Sequence, residues 1–287
     1  MKILKKYYWL VVVLPVFLFS CGNDPDGPIS GELPAIDILD DSYGPEPIQS
    51  MNVYLPAGRT SDTPLLIYIH GGAWIQGDKS EFDAFRSLVE IYFPDYAYIS
   101  IGYRLHGVGT MTNTFPSQEN DIISALEYIT SQTAAWNVSD EIILAGASAG
   151  AHLALLHAYK HTDIGDINSV IALFPPTELV SLADFNLITQ LGLTSIMGGT
   201  PVTTPDIYFQ SSPVNFIDSG STPTIFFHGT ADDVVPISQS ELLADRLEAS
   251  GVIHEYVIYP GQGHGFDAVT YGQAFEQAAA FTSNFIP

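Results

Sequence analysis

From about residue 50 onward, short runs rich in Ile, Val, Leu, Tyr and Phe alternate with longer segments whose apolar residues recur at three- and four-residue spacing. That alternation narrows the fold more than any other feature of the chain. It predicts an α/β architecture with a mostly parallel central sheet flanked by helices on both faces. The strand-like runs are Met51 to Leu55, Leu65 to His70, Tyr96 to Ile101, Glu141 to Ala145, Ser169 to Phe174, Thr224 to Phe227 and Val252 to Tyr259. Several lack polar alternation, as strands covered on both faces do. Helices are predicted over Glu81 to Tyr92, Gln118 to Gln132, Ala149 to Tyr159, Ser238 to Ser250 and Gln273 to Phe285, and Ser80 with Asp83 and Ser238 with Glu241 have the spacing of helix-start boxes. Between Pro175 and Pro213 the pattern fails, and Pro, Gly and Thr cluster around Gly198 to Pro205. A small cap or insertion over the functional site is expected there.

With 46% hydrophobic and 14% charged residues, the chain can build a large packed interior. Its 287 residues fit one large α/β domain once an export signal is set aside. The formal charge is −23, and outside the first six residues no basic cluster exists. A surface of that sign repels phosphate backbones, which excludes nucleic acid as a partner.

The first residues carry Lys2, Lys5 and Lys6, then an apolar run from Tyr7 to Phe19, then Ser20 and Cys21. This is the layout of an export signal, too short to span a bilayer comfortably. Leu18-Phe19-Ser20-Cys21 resembles the lipobox of bacterial lipoproteins, which implies cleavage before Cys21 and lipid attachment to its sulfur. Cys21 is the only cysteine, so a disulfide within the chain is impossible; a chance cysteine in an ordinary signal is the alternative. The expected organisation is a signal over 1–20, a tether over 21–34 and a catalytic domain over 35–287. Losing the three signal lysines takes the charge from −23 to −26. The protein is then expected at the bacterial cell envelope, held to a membrane through an N-terminal lipid anchor.

Gly146-Ala147-Ser148-Ala149-Gly150 matches G-x-S-x-G and lies between the apolar run Ile142 to Ala145 and a predicted helix. A serine on so tight a strand-to-helix turn needs small neighbours two residues away on each side. The helix that follows aims its positive end at charge developing on a carbonyl oxygen. Upstream, His70-Gly71-Gly72-Ala73-Trp74 leaves a strand, and its glycines let backbone amides approach a substrate oxygen. Gly72 and Ala73 are expected as amide donors, joined by Ala149. His70 reads as a loop-ordering group, and Trp74 and Trp136 as packing residues.

Together these features resemble the α/β-hydrolase esterase and lipase family, particularly its hormone-sensitive-lipase-like and feruloyl-esterase-like branches. The resemblance also rests on Asn52 to Pro56, Tyr103-Arg104-Leu105, Phe115-Pro116 with Asp121, the run His228 to Pro236, and Gly263-His264-Gly265-Phe266. It implies the α/β-hydrolase fold, with the cap after the sixth strand. The family's chain order of serine, acid and histidine leaves His228, His254 and His264 as candidates. His228 ends a strand before the acid and His254 sits inside one, so His264 remains. Asp232 matches the family's D-x-x-V-P position, ahead of Asp233. The chain departs from the family's commonest forms at Ala73 and Ala151, where glycine is usual.

These residues imply a serine hydrolase cleaving carboxylic esters through an acyl-enzyme, with Ser148 as nucleophile, His264 as base and Asp232 as its orienting acid. Small-molecule or polysaccharide esters carrying acetyl or feruloyl groups are the expected substrates. The alternatives are a prolyl-oligopeptidase-like serine peptidase, against which the lack of a long N-terminal β-propeller region counts, and a catalytically silent binding protein. No cofactor is implied, and no His, Cys or carboxylate cluster has metal-ligand spacing.

Overall fold

A computed structural model describes residues 32–286. The expected signal, Cys21 and most of the tether lie outside the described residues. Within them, eight strands and eight helices follow one another: β1 (Ile36–Ser42), β2 (Ser50–Leu55), β3 (Leu65–Ile69), α1 (Arg86–Tyr92), β4 (Ala97–Ile101), α2 (Ser117–Trp136), β5 (Ile142–Ala147), α3 (Ala149–Lys160) and β6 (Ile167–Leu173). Then come α4 (Leu179–Phe185), α5 (Leu187–Ile196), α6 (Pro205–Gln210), β7 (Thr224–Gly229), α7 (Ser238–Ser250), β8 (His254–Tyr259) and α8 (Ala268–Thr282).

The strands form one sheet in the order β1-β2-β4-β3-β5-β6-β7-β8. β2 runs antiparallel to both β1 and β4, and every other pair is parallel. Successive side chains leave a strand on opposite faces. Leu65, Ile67 and Ile69 of β3 therefore enter the core beneath α2, α3 and α7, while Leu66 and Tyr68 enter a second core with α1 and α8. The chain reverses strand order beside β3 and β5, and the carboxyl ends of those strands are where such sheets place their sites.

All seven expected strands are present, with shifted ends. β8 starts at His254 because α7 ends on Gly251 at φ 71°, leaving Val252 and Ile253 in the turn. β1 went unread because Ile36 to Ser42 is acidic and largely exposed; it pairs only with β2, around an irregularity at which Asp40 has φ 57°. Its presence makes β6, the strand before the cap, the sixth.

The helix expected over Glu81 to Tyr92 is broken instead: a 3₁₀ turn spans Lys79–Ala84 and α1 starts at Arg86. Phe85 leaves the helical region there and packs its ring edge-on to Tyr68 and Phe82. Neither helix-start box forms. Asp78 caps the 3₁₀ turn by accepting from the Ser80 amide, Asp83 accepts from Tyr54 Oη, and α7 begins after Ile237 without a side-chain cap. α8 begins earlier than predicted because Asp267 caps it through the Thr270 amide.

At the start of the described residues the chain already bonds to the domain: the Leu33 carbonyl accepts from the Gly58 amide and the Pro34 carbonyl from Arg59. The segment from Pro175 to Pro213 is not irregular: it folds as α4, α5 and α6, capped at Glu178 and by an Asn186–Thr189 box.

Candidate active site

β5 delivers the chain to Ser148 at the top of the sheet, and α3 leaves from the next residue. Ser148 has φ 53° and ψ −120°, a conformation that costs a side-chain-bearing residue about 1–3 kcal/mol. The flanking glycines follow from that turn. A Cβ on Gly146 would lie 2.4 Å from the Gly150 carbonyl carbon, and one on Gly150 would lie 2.0 Å from the Ile69 carbonyl oxygen. The turn is pinned by the Ser148 amide, which donates to Leu173 at the end of β6.

The loop after β7 supplies Asp232. One carboxylate oxygen accepts from the Val234 and Val235 amides, each at 2.9 Å, and the other accepts from His264 Nδ1 at 2.8 Å. The carboxylate is fully buried. Burial alone would raise its pKa, but hydrogen bonds from His228, His264 and the Val235 amide outweigh that and hold it well below the usual carboxylate range. Asp233 is exposed.

His264 follows β8, beside Gly265 at φ 113°, and its ring lies edge-on to Phe174. With Nδ1 donating to Asp232, Nε2 is left to accept from Ser148 Oγ, 2.9 Å away. The structure thus brings together the three residues singled out in the sequence.

The loop after β3 is wound through left-handed conformations at Gly72 (φ 104°), Ala73 (φ 52°) and Trp74 (φ 61°). Ala73 thus carries its methyl group in a conformation that favours glycine. Gly71 and the nucleophile turn touch, a Cβ on Gly71 falling 3.6 Å from Ser148 Cβ. His70 holds the loop as expected: its ring stacks on Tyr103, Nδ1 donates to the Gly71 carbonyl, and burial lowers its pKa to about 4. Among the described residues, the amides of Gly72, Ala73 and Ala149 donate no hydrogen bond of their own. Ala73 and Ala149 line a cavity of about 350 Å³ together with Ser148. Trp74 is buried, as a packing residue should be, and also walls that cavity. Ala151 is buried in α3.

Several participants escaped the sequence reading. His228, set aside as a candidate base, is buried against the acid, with Nε2 3.3 Å from Asp232 Oδ2, and is fixed by Ser240 and the Val235 carbonyl. Its spacing of four residues before Asp232 was the available signal. Arg104 and Asp121, by contrast, are among the residues that carry the family resemblance; they form an ion pair at 2.6 Å, and Asp121 also accepts from the Arg104 amide and from Gln49. That cluster fixes the chain after β4. The cavity's far wall is Leu182, Ile188, Leu191 and Leu193 of α4 and α5.

Strand order, nucleophile turn and the chain of hydrogen bonds from acid to serine define an α/β-hydrolase fold. Within it, the chain belongs to the BD-FAE family, whose match covers residues 51–247. It is 27% identical over 243 residues to a probable isoprenylcysteine alpha-carbonyl methylesterase of Arabidopsis thaliana, covering 77% of this chain and 49% of that one. To the esterase LipC of Mycobacterium tuberculosis it is 25% identical over 249 residues, 78% of this chain and 59% of the other. The chain therefore spans about half the length of the curated relatives it matches. Among solved structures, a truncated form of a carbohydrate esterase from gut microbiota superposes with a TM-score of 0.72 at 22% identity, over 89% of this chain and 96% of that one. A bifunctional GH43-CE protein of Bacteroides eggerthii gives 0.74 at 23%, over 86% and 38%. These two likenesses concern the fold.

Proposed function

We propose that the protein hydrolyses carboxylic esters by a two-step serine mechanism. The observation that carries this reading is the unbroken hydrogen-bond path from Asp232 through His264 to Ser148 Oγ. His264 Nε2 removes the serine proton as Oγ attacks the ester carbonyl, and Asp232 stabilises the imidazolium that results. The amides of Gly72, Ala73 and Ala149 receive the oxyanion, each such donor lowering the barrier by about 2.7–4 kcal/mol. His264 returns the proton to the departing alcohol. Water, deprotonated by the same nitrogen, then frees the acid from Ser148.

The esterase names of the curated relatives support ester hydrolysis, and the carbohydrate esterase among the structural neighbours is what favours saccharide esters as the substrate class. In the test, the purified chain is given p-nitrophenyl esters of increasing acyl length, acetylated xylan and methyl ferulate, beside its Ser148→Ala variant. Turnover should fall by about 10⁴-fold or more in the variant. Turnover of an ester at the parental rate by that variant refutes the mechanism.

Export and lipid attachment at Cys21 belong to the same proposal, supported by the charged start, apolar run and single cysteine of residues 1–21. Cys21→Ala should move the protein from the membrane to the soluble fraction of expressing cells. Unchanged lipid labelling of that variant would remove the anchor.

A further inference from the structure

The cavity beside Ser148 is open enough to take part of a substrate, and its chemistry is one-sided. Besides Ser148, its lining includes only two polar aliphatic side chains, Thr189 and Ser195, and no charged one. The Ser195 hydroxyl is already engaged by His106 Nε2 at 2.8 Å. A sugar placed there would leave most of its hydroxyls without partners, a penalty that a hydrocarbon group does not meet. At about 30 Å³ per small group in a liquid, about 350 Å³ holds on the order of ten heavy atoms.

Which end of the ester enters is set by His264. The departing oxygen must lie by His264 Nε2, and His264 is absent from the lining, whereas Ser148, Ala73 and Ala149 are all in it. The part of the ester that stays on Ser148 is therefore the part that faces the cavity. A second cleft, of about 320 Å³ between α1 and α8, reaches Ala147 instead of Ser148.

We propose that this cavity is an acyl pocket for aliphatic chains longer than acetyl, and that Gly192, exposed at the α5 rim, keeps its mouth open to them. The inference rests on the ester-hydrolase reading and narrows it. Gly192 lines the cavity, and a Cβ built on it meets nothing within 4 Å. Ile188 and Leu191 also line it while staying 83% and 62% exposed, so α5 offers an apolar rim along which a longer chain continues.

The decisive experiment compares kcat/KM for p-nitrophenyl acetate, butyrate, hexanoate and octanoate in the parent chain, Gly192→Ala and Gly192→Leu, alongside acetate esters of butanol, hexanol and octanol. Each methylene buried in the parent should raise kcat/KM about fourfold. Gly192→Leu should lower the hexanoate-to-acetate ratio by about tenfold or more, with Gly192→Ala between, because three or four carbons lose their place. Leucine favours a helix over glycine, so the variant should melt no lower than the parent. An unchanged ratio, or a loss confined to the long alcohols, overturns the proposal. A readout independent of turnover is the tryptophan emission, to which Trp74 contributes from the cavity wall, followed in Ser148→Ala protein titrated with ethyl hexanoate and ethyl acetate. Tighter hexanoate binding that Gly192→Leu abolishes supports the pocket even where hydrolysis is absent, and equal binding of the two esters refutes it.

Discussion

At the reaction centre each oxygen of Asp232 is engaged, the nucleophile turn is bonded to a neighbouring strand, and His264 is held at both ring nitrogens. The cap differs in kind. α5 presents Leu187, Ile188 and Leu191 to solvent, while Leu179, Leu182, Leu193 and Ile196 seat the segment in the main core and Gln239, His152 and His106 bond it to the body. The contrast teaches that bond-breaking and choice of substrate sit on different elements. One is fixed by strand ends, where a small displacement is costly. The other is a surface of aliphatic side chains that can change without disturbing the first.

The contrast would break if damage at the centre proved mild. Asp232→Asn preserves shape but leaves His264 with the wrong proton arrangement, so kcat should fall by about 10⁴-fold with little change in melting temperature. A loss under tenfold, measured on p-nitrophenyl butyrate, would remove Asp232 from the reaction. Gly72→Ala tests the oxyanion loop. Its methyl group would lie 2.0 Å from the Gln76 carbonyl oxygen at φ 104°, so the loop must shift and its amides with it. A fall in kcat of about 10²–10³-fold is expected, and an unchanged kcat would place the oxyanion elsewhere.

The smallest effect concerns the joint between the two regions. His152, on α3, is buried, bonded through Nε2 to Ser211, and its pKa is lowered by burial to about 4. An unfolded histidine titrates near 6.5, so between those values the unfolded chain binds the extra proton. Stability is therefore full above about pH 6.5 and falls as pH drops toward 4. His152 alone accounts for on the order of 3 kcal/mol of that slope. His152→Gln keeps a donor for Ser211 and removes the titration, so its melting temperature should depend less steeply on pH over that range. An equal slope would show that His152 does not titrate at the joint.

Much of the centre was legible because its geometry demands particular residues. Gly146 and Gly150 are glycines for want of space, and Asp232 and His264 lie in loops that only strand ends could bring together. The cap was illegible for the opposite reason. α5 spans only ten residues and leaves Leu187, Ile188 and Leu191 exposed, so its apolar residues do not mark a single buried face, and α4 and α6 are too short to show a period. β1 reads as a loop because its pairing partner, not its composition, makes it a strand. His228 looked like an ordinary strand terminus, and only its burial against Asp232 reveals what it touches.

The margins of the sheet carry a consequence for how the molecules behave in a crowd. β1 lines one margin with Asp37, Asp40 and Asp41, of which Asp37 pairs with Arg86 and Asp40 with Lys79, and kinks where its pairing shifts; β8 carries Glu255 on the other. An exposed strand with free amides and carbonyls invites a strand from another molecule, and a kinked edge studded with charged side chains disfavours one. Copies packed side by side should therefore stay dispersed instead of growing into fibrils.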